Sequence, residues 1–129
     1  PEQMISILGL EKKVRFQQED SLSFLRGANS QFDLVFLDGD HSYGRVVQEL
    51  PLALAALRRD GFLLLHDYFP DSVPLWSNGT VIDGPFRAVQ EFQQQHGSPL
   101  EVLPLGSLPW PTKLDSSVTS LAIVGRKIT

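Results

Sequence analysis

The stretch FDLVFLDGDHSY, residues Phe32 to Tyr43, read together with DGFLLLHDY, residues Asp60 to Tyr68, decides the fold. Phe32 to Leu37 is an almost continuous apolar run bounded by polar residues, the pattern of a strand buried on both faces. After Asp38-Gly39-Asp40-His41-Ser42 the period changes, and Val46, Val47, Leu50, Leu54 and Leu57 recur at helical intervals. Pro51 removes a backbone donor and is expected to kink or split that helix. Arg58-Arg59-Asp60-Gly61 reads as its stop, and Phe62 to Leu65 begins a second buried strand that ends at His66-Asp67. Strand, helix and strand at this spacing form a βαβ unit, with parallel strands and a right-handed crossover.

Upstream, Met4, Ile5 and Leu8 lie at helical spacing before Gly9-Leu10, the tail of a helix with a glycine stop. Val14 to Phe16 reads as a short strand, and Asp20-Ser21 offers a cap for a small helical segment through Leu25. Downstream, Tyr68 to Pro85 is rich in Pro, Gly, Asp, Ser and Asn and predicts a long loop of the kind that serves as a lid. Phe86 to His96 resumes a helical pattern through Phe86, Val89 and Phe92, closed by Gly97. Leu100 to Leu105 and Ser120 to Val124 read as two final strands, joined by a Pro-rich connection containing Trp110. No internal repeat, coiled coil or second domain is visible.

The 129 residues are 42% hydrophobic and 20% charged, the makeup of one α/β or α+β domain with a modest core. A net charge of −4 gives no basic footprint, so neither nucleic acid nor an anionic membrane is the expected partner, and a small molecule fits better. The absence of cysteine excludes disulfides, zinc-thiolate sites and thiol nucleophiles. No apolar run approaches the ~20 residues of a membrane span and no targeting segment is visible, which leaves the cytoplasm as the default location. The chain opens at Pro1 without a methionine, as a processed or partial product would.

In open α/β sheets the working site lies beyond the carboxyl ends of the parallel strands. Asp38 follows the first strand of the βαβ unit and Asp67 the second; neighbouring strands run ~4.8 Å apart, so both carboxylates can face one pocket. Hard oxygen ligands at that separation suit Mg²⁺ or a similar divalent cation. His41 and His66 stand close to the two acids in sequence. Each of these residues also has a plainer reading. An Asp at a strand end is commonly a helix cap or loop former, and Asp40 or Ser42 fits that role. His41 and His66 serve equally as structural hydrogen-bonding groups, and His96, before Gly97, as a favourable charge at a helix end. Trp76 and Trp110 read as packing residues, with Trp76 also placed to cover a substrate from the loop. The order of His, His66-Asp67 and a later Asp resembles the histidine-aspartate phosphohydrolase signature, but that family is all-helical and here the pair ends an apolar strand.

FDLVFLDGDHSY and DGFLLLHDY, with a helix between them, resemble the small-molecule O-methyltransferase branch of the class I S-adenosylmethionine-dependent methyltransferases, closest to the macrocin-type sugar O-methyltransferases and more loosely to catechol O-methyltransferase. The resemblance covers nearly the whole chain: LGLEKKVRFQQEDS at Leu8 to Ser21 is similar to the third-strand region, GPFRAVQEF at Gly84 to Phe92 to a later helix, and the last two strands to the closing antiparallel hairpin. It implies an α/β, Rossmann-like, mostly parallel sheet. The chain would be the carboxyl-terminal portion of one catalytic domain, with the amino-terminal strands and the glycine-rich loop missing, since no G-x-G element opens a helix here.

The resemblance further implies S-adenosylmethionine as cofactor. Asp20 and Ser21 would lie near the adenine amine of that donor, and His41 of the DGDH segment close to donor or acceptor. In metal-dependent members an acid after the fourth strand and an acidic pair after the fifth bind a divalent cation; these positions are Asp38 and Asp67, with His66 standing where the first acid of the pair would be and Tyr68 after it.

The reading that follows is methyl transfer to a hydroxyl of a small, sugar-like acceptor. Asp38, Asp67 and His66 hold a cation that lowers the hydroxyl's pKa, Asp38 also faces the donor, and His41 acts as general base. A metal-independent variant keeps His41 as base oriented by Asp67. The rival from another class is a catalytically silent α/β module that binds a ligand or partner, favoured by the missing glycine loop. Without its neighbouring first strand, Phe32 to Leu37 would also present an open edge, so pairing with Val14 to Phe16, a homodimer through that edge, or aggregation is expected.

Overall fold

The computed structural model describes residues 2–29, 31–72, 74–75, 77–105 and 120–127. The βαβ unit forms as the change of period predicts: strand β1 (Phe32–Leu37), helix α3 (Tyr43–Ala56) and strand β2 (Leu57–Leu65), with β1 and β2 parallel. It is preceded by helices α1 (Glu2–Ile7) and α2 (Ser21–Gly27) and followed by α4 (Gly84–Gln95), β3 (Leu100–Pro104) and β4 (Ala122–Arg126). The sheet order is β1-β2-β4-β3. Strand β4 is antiparallel to both of its neighbours, so β1, β2 and β3 share one direction and the sheet is mostly parallel with an antiparallel hairpin at its far side.

All of the core lies on one face. Leu63 and Leu65 of β2, Ala122 and Val124 of β4 and Leu100 of β3 meet the inward stripe of α3, where Val46, Leu50, Ala53 and Leu54 are buried at helical spacing. Ala88 and Val89 of α4 and Leu25 of α2 complete it. The end of α3 is further tied to the sheet by Arg126, whose guanidinium donates to the carbonyl of Leu54 in the last turn of that helix and to that of Arg58 near the start of β2.

Several expectations change. Strand β1 is not buried on both faces: Val35 and Leu37 pack against the core, but Leu34 and Phe36 remain 48% and 49% exposed. Phe62 of β2 and Leu103 of β3 are likewise exposed, at 42% and 61%, so the face opposite the helices is apolar and uncovered among the described residues. Periodicity reports which residues are apolar, not what covers them. Pro51 does not split α3, which runs unbroken through it. The proline lies on the solvent side, where water can satisfy the carbonyl whose hydrogen bond it removes.

Arg58 to Gly61 is not a stop between elements but part of β2, where the register steps from Phe32↔Leu57 to Leu34↔Phe62 and the extra residues bulge outward. Gly61 closes that detour: a Cβ there would stand 3.0 Å from the carbonyl oxygens of both Phe32 and Asp33. Arg58 and Asp33 pair across it at 2.7 Å in the solvent.

Val14 to Phe16 forms no strand and pairs with nothing in the sheet; Val14 and Phe16 are exposed. The first of the two final strands matches the expected start, whereas the last begins at Ala122 rather than Ser120. Trp76, Trp110 and the Pro-rich connection fall outside the described residues. His96 caps α4, its Nδ1 2.9 Å from the Phe92 carbonyl, and Gly97 at φ 70° ends the helix as expected.

Candidate active site

The parallel pairing of β1 and β2 sets the site. Leu37 is in register with Leu65, and the ladder extends one step further because the His66 amide donates to the Leu37 carbonyl at 3.0 Å. The next residues of each strand, Asp38 and His66-Asp67, therefore emerge side by side at the carboxyl end of the sheet. Asp67 takes a positive φ of 52°, an uncommon conformation in which Asp is among the more tolerant residues, and the chain turns away with the Tyr68 amide donating to the Ser120 carbonyl at 2.7 Å.

Four titratable side chains converge there. His66 Nδ1 lies 3.0 Å from Asp38 Oδ1 and 3.3 Å from Asp67 Oδ1. His41 Nε2 lies 3.5 Å from Asp67 Oδ2 and 3.8 Å from Asp38 Oδ1. Asp67 is buried, His41 and His66 are partly exposed, and Asp38 stands at the open rim. Although His66 Nδ1 is near two carboxylates, none of these contacts has hydrogen-bond geometry, so a buried ring nitrogen is left without a hydrogen-bond partner among the described residues.

Ligand atoms of Asp38, His41 and His66 all lie within 4.8 Å of one another. Two atoms bound to one cation at ~2.1–2.3 Å stand at most ~4.6 Å apart, so the cluster matches the span of a single coordination sphere to within a few tenths of an ångström. Its mixed imidazole and carboxylate character suits a borderline cation such as Mn²⁺ or Zn²⁺ better than Mg²⁺.

His41 is held by a contact that sequence reading missed. Gly84, the first residue of α4, lies so close to the segment between Asp40 and α3 that a Cβ there would stand 2.1 Å from the His41 carbonyl oxygen and 2.6 Å from the Tyr43 nitrogen. Tyr43 strengthens the same junction: its hydroxyl hydrogen-bonds Glu91 of α4, which holds the phenol above its ordinary pKa, and the Arg87 guanidinium lies 4.4 Å from its ring centre. The signal available in the sequence was Gly84-Pro85 at the helix start, which reads as ordinary punctuation.

Beside this cluster, at the end of β1, lies a cleft of about 390 Å³ lined by Phe36, Leu37 and Asp38 together with Ser21, Arg45 and Glu49. Asp20 is the N-cap of α2, with Oδ2 accepting from the Ser23 amide at 3.0 Å, and its Oδ1 accepts from Arg45 at 2.5 Å. Those contacts, the Arg45 side chain first and the Ser23 amide second, hold its carboxyl below the ordinary carboxylate range. Both oxygens are thus engaged, and it is Ser21 rather than Asp20 that lines the cleft. Asp40 and Ser42 take the plainer role: Asp40 Oδ1 accepts from the Ser42 amide at 2.8 Å, and Ser42 occupies the N-cap position of α3.

Known proteins match this chain at two levels, fold and sequence. Solved structures share the fold: a protein from Corynebacterium glutamicum (TM-score 0.66, 20% identity, covering 99% of this chain and 55% of its own), one from Klebsiella pneumoniae described as a candidate O-methyltransferase (0.65, 18%, 98% and 56%), and a methyltransferase from Podospora anserina with S-adenosylhomocysteine bound (0.62, 17%, 98% and 55%). The chain therefore spans little more than half the length of these relatives. No curated protein matches it. Among the described residues no helix is long and apolar enough to cross a membrane. At the level of sequence, the family model for the methyltransferase domain matches residues 2–68, which include α1 to β2 and both clustered strand ends, and the chain belongs to that family.

Proposed function

We propose that this chain carries the acid- and imidazole-lined part of an S-adenosylmethionine-dependent O-methyltransferase active site, acting on a hydroxyl of a small, sugar-like acceptor. The observation that carries the reading is the convergence of Asp38, His41, His66 and Asp67 at the ends of two parallel strands. The fold neighbours support it, one by its description as an O-methyltransferase and one by its bound S-adenosylhomocysteine.

In this reading the acceptor oxygen takes the methyl group from the sulfonium as the sulfur–carbon bond breaks, leaving S-adenosylhomocysteine, and the hydroxyl proton passes to His41 Nε2. An imidazole suits that task near neutral pH, and Asp67, 3.5 Å away, steadies the imidazolium that forms. The cleft between Phe36 and Ser21 takes the adenine end of the donor, which sets its methyl group toward His41. A divalent cation held by Asp38, Asp67 and His66 would lower the acceptor's pKa and fix its orientation. The buried His66 Nδ1, which has no hydrogen-bond partner among the described residues, fits such a ligand role. The His41–Asp67 contact also favours the simpler, metal-independent version in which the pair alone removes the proton.

The test is S-adenosylhomocysteine release by the complete enzyme with a panel of hydroxylated acceptors. His41→Ala is expected to lower kcat by about 10²-fold or more while leaving donor binding nearly unchanged. Wild-type turnover in that variant would remove His41 as the base, and failure of the wild-type enzyme to bind S-adenosylhomocysteine would remove the methyltransferase reading.

A further inference from the structure

Glu49 is one of only two charged or polar residues buried among the described ones, and it stands on the inward stripe of α3 beside Leu50, where packing alone would call for an apolar side chain. A carboxylate in that position is costly unless paired. Its oxygen Oε1 accepts from Arg45 Nε at 2.8 Å, one helical turn earlier, and also from the Ser21 hydroxyl. Arg45 Nη2 in turn donates to Ser21 Oγ and to Asp20 Oδ1. The guanidinium is thus fixed in its own plane by Glu49, and its free edge clamps the first two residues of the α2 start.

Ser21 has both hydroxyl roles used by this network, donating to Glu49 and accepting from Arg45, so its position on the cleft wall follows theirs. A mere staple between α2 and α3 could be apolar. A charged pair with its carboxylate buried costs more, and what it adds is a fixed direction.

We infer that Arg45, braced by Glu49, is a positioning residue for the methyl donor: it holds Ser21 and the Asp20 turn against the cleft and so sets donor affinity without touching the reacting atoms. The inference rests on the donor reading of the cleft proposed above and deepens it. The hydrogen bonds of Arg45 run to Asp20, Ser21 and Glu49 and not to the His41–His66 cluster, so loss of its fork loosens the donor wall and leaves the proton-transfer cluster in place.

The experiment uses the complete enzyme, with S-adenosylhomocysteine affinity from calorimetry and donor KM and kcat at saturating acceptor, for wild type, Arg45→Met and Arg45→Lys. In Arg45→Met, S-adenosylhomocysteine affinity and donor KM are expected to weaken about tenfold, with kcat within about twofold of wild type. Arg45→Lys, a point charge that cannot serve Glu49 and Asp20 together, is expected to show most of the same loss. Unchanged affinity in a folded Arg45→Met, or a fall in kcat at unchanged KM, overturns the inference. If Arg45→Met does not fold, Arg45→Lys decides, and wild-type donor affinity there overturns it. Wild-type enzyme that fails to bind S-adenosylhomocysteine overturns the donor reading itself and this inference with it.

Discussion

Replacing Gly84 by alanine tests whether the α4 start positions His41. The added methyl would meet the His41 carbonyl oxygen at 2.1 Å, and all three of its nearest neighbours are backbone atoms that cannot rotate away. To restore an ordinary contact, the loop and the helix must separate by about 1 Å, a displacement that at a catalytic group can cost about 10²-fold in rate. Forced overpacking of this kind costs about 1–3 kcal/mol, or a fall in Tm of about 4–12 °C for a domain of this size. Gly44 is the control: it lies in the first turn of α3 with nothing within 4 Å of its would-be Cβ, so Gly44→Ala should be neutral or stabilise by up to about 1 kcal/mol. Differential scanning calorimetry and turnover on the two variants decide the matter. A Gly84→Ala protein with wild-type Tm and wild-type kcat would refute both the close approach and its role in holding His41.

Asp38→Asn and Asp67→Asn should each weaken Mn²⁺ binding to the complete enzyme by about tenfold or more in calorimetric titration, and unchanged affinity in both would remove the metal reading. Asp20 has its carboxyl pKa depressed by Arg45 and the Ser23 amide, so its contribution to stability is full above the ordinary value of about 4 and is lost as pH falls through the lower folded value. The difference in Tm between wild type and Asp20→Asn should therefore hold from pH 7 to about 5 and shrink steadily as pH falls below the ordinary carboxylate value of about 4; a difference that does not shrink there would contradict the Arg45 pairing. The 129-residue chain by itself should bind S-adenosylmethionine weakly or not at all, because it has no glycine-rich loop to approach the donor, and micromolar affinity in calorimetry would show otherwise. That chain is also expected to dimerise through the outer edge of β1, where a two-fold axis pairs the same strand with itself; Leu34→Lys on the exposed face should shift light scattering toward monomer, and a monomeric wild-type chain would refute the expectation.

The βαβ unit was legible because two apolar runs with no helical period flank a segment that has one, and the same runs place Asp38 and His66-Asp67 at strand ends. Their convergence follows from a parallel register that needs only Leu37 opposite Leu65. What could not be read was anything that depends on which surfaces meet. The exposure of Leu34 and Phe36 depends on what covers the second face, and an apolar run looks the same either way. The passage of α3 through Pro51 depends on that residue facing solvent. Arg58 to Gly61 looked like a turn between elements because its polar residues and glycine are those of a turn, whereas they form a bulge inside β2. Glu49 did carry a signal, a charge on an otherwise apolar helical stripe, but its meaning required Ser21 and Arg45 beside it.

On the function proposed above, donor positioning and proton transfer would rest on separate sets of contacts. His41, His66 and the two carboxylates are placed by the β1–β2 ladder and by the backbone contact with Gly84, with no part for α2. The cleft wall at Ser21 is placed by Arg45 and Glu49 across the α2–α3 junction, with no part for α4. Among the described residues both sets meet at Asp38, which borders the cleft and reaches His66, and at Phe36, which lines the cleft and meets the His66 ring edge-on at 6.3 Å. A change at Gly84 should therefore appear in kcat and a change at Arg45 in donor KM, while a change at Asp38 should move both. Such a division follows from topology: the strand ends are fixed by the backbone ladder between β1 and β2, whereas a helix start tied on by side chains can adjust without disturbing them.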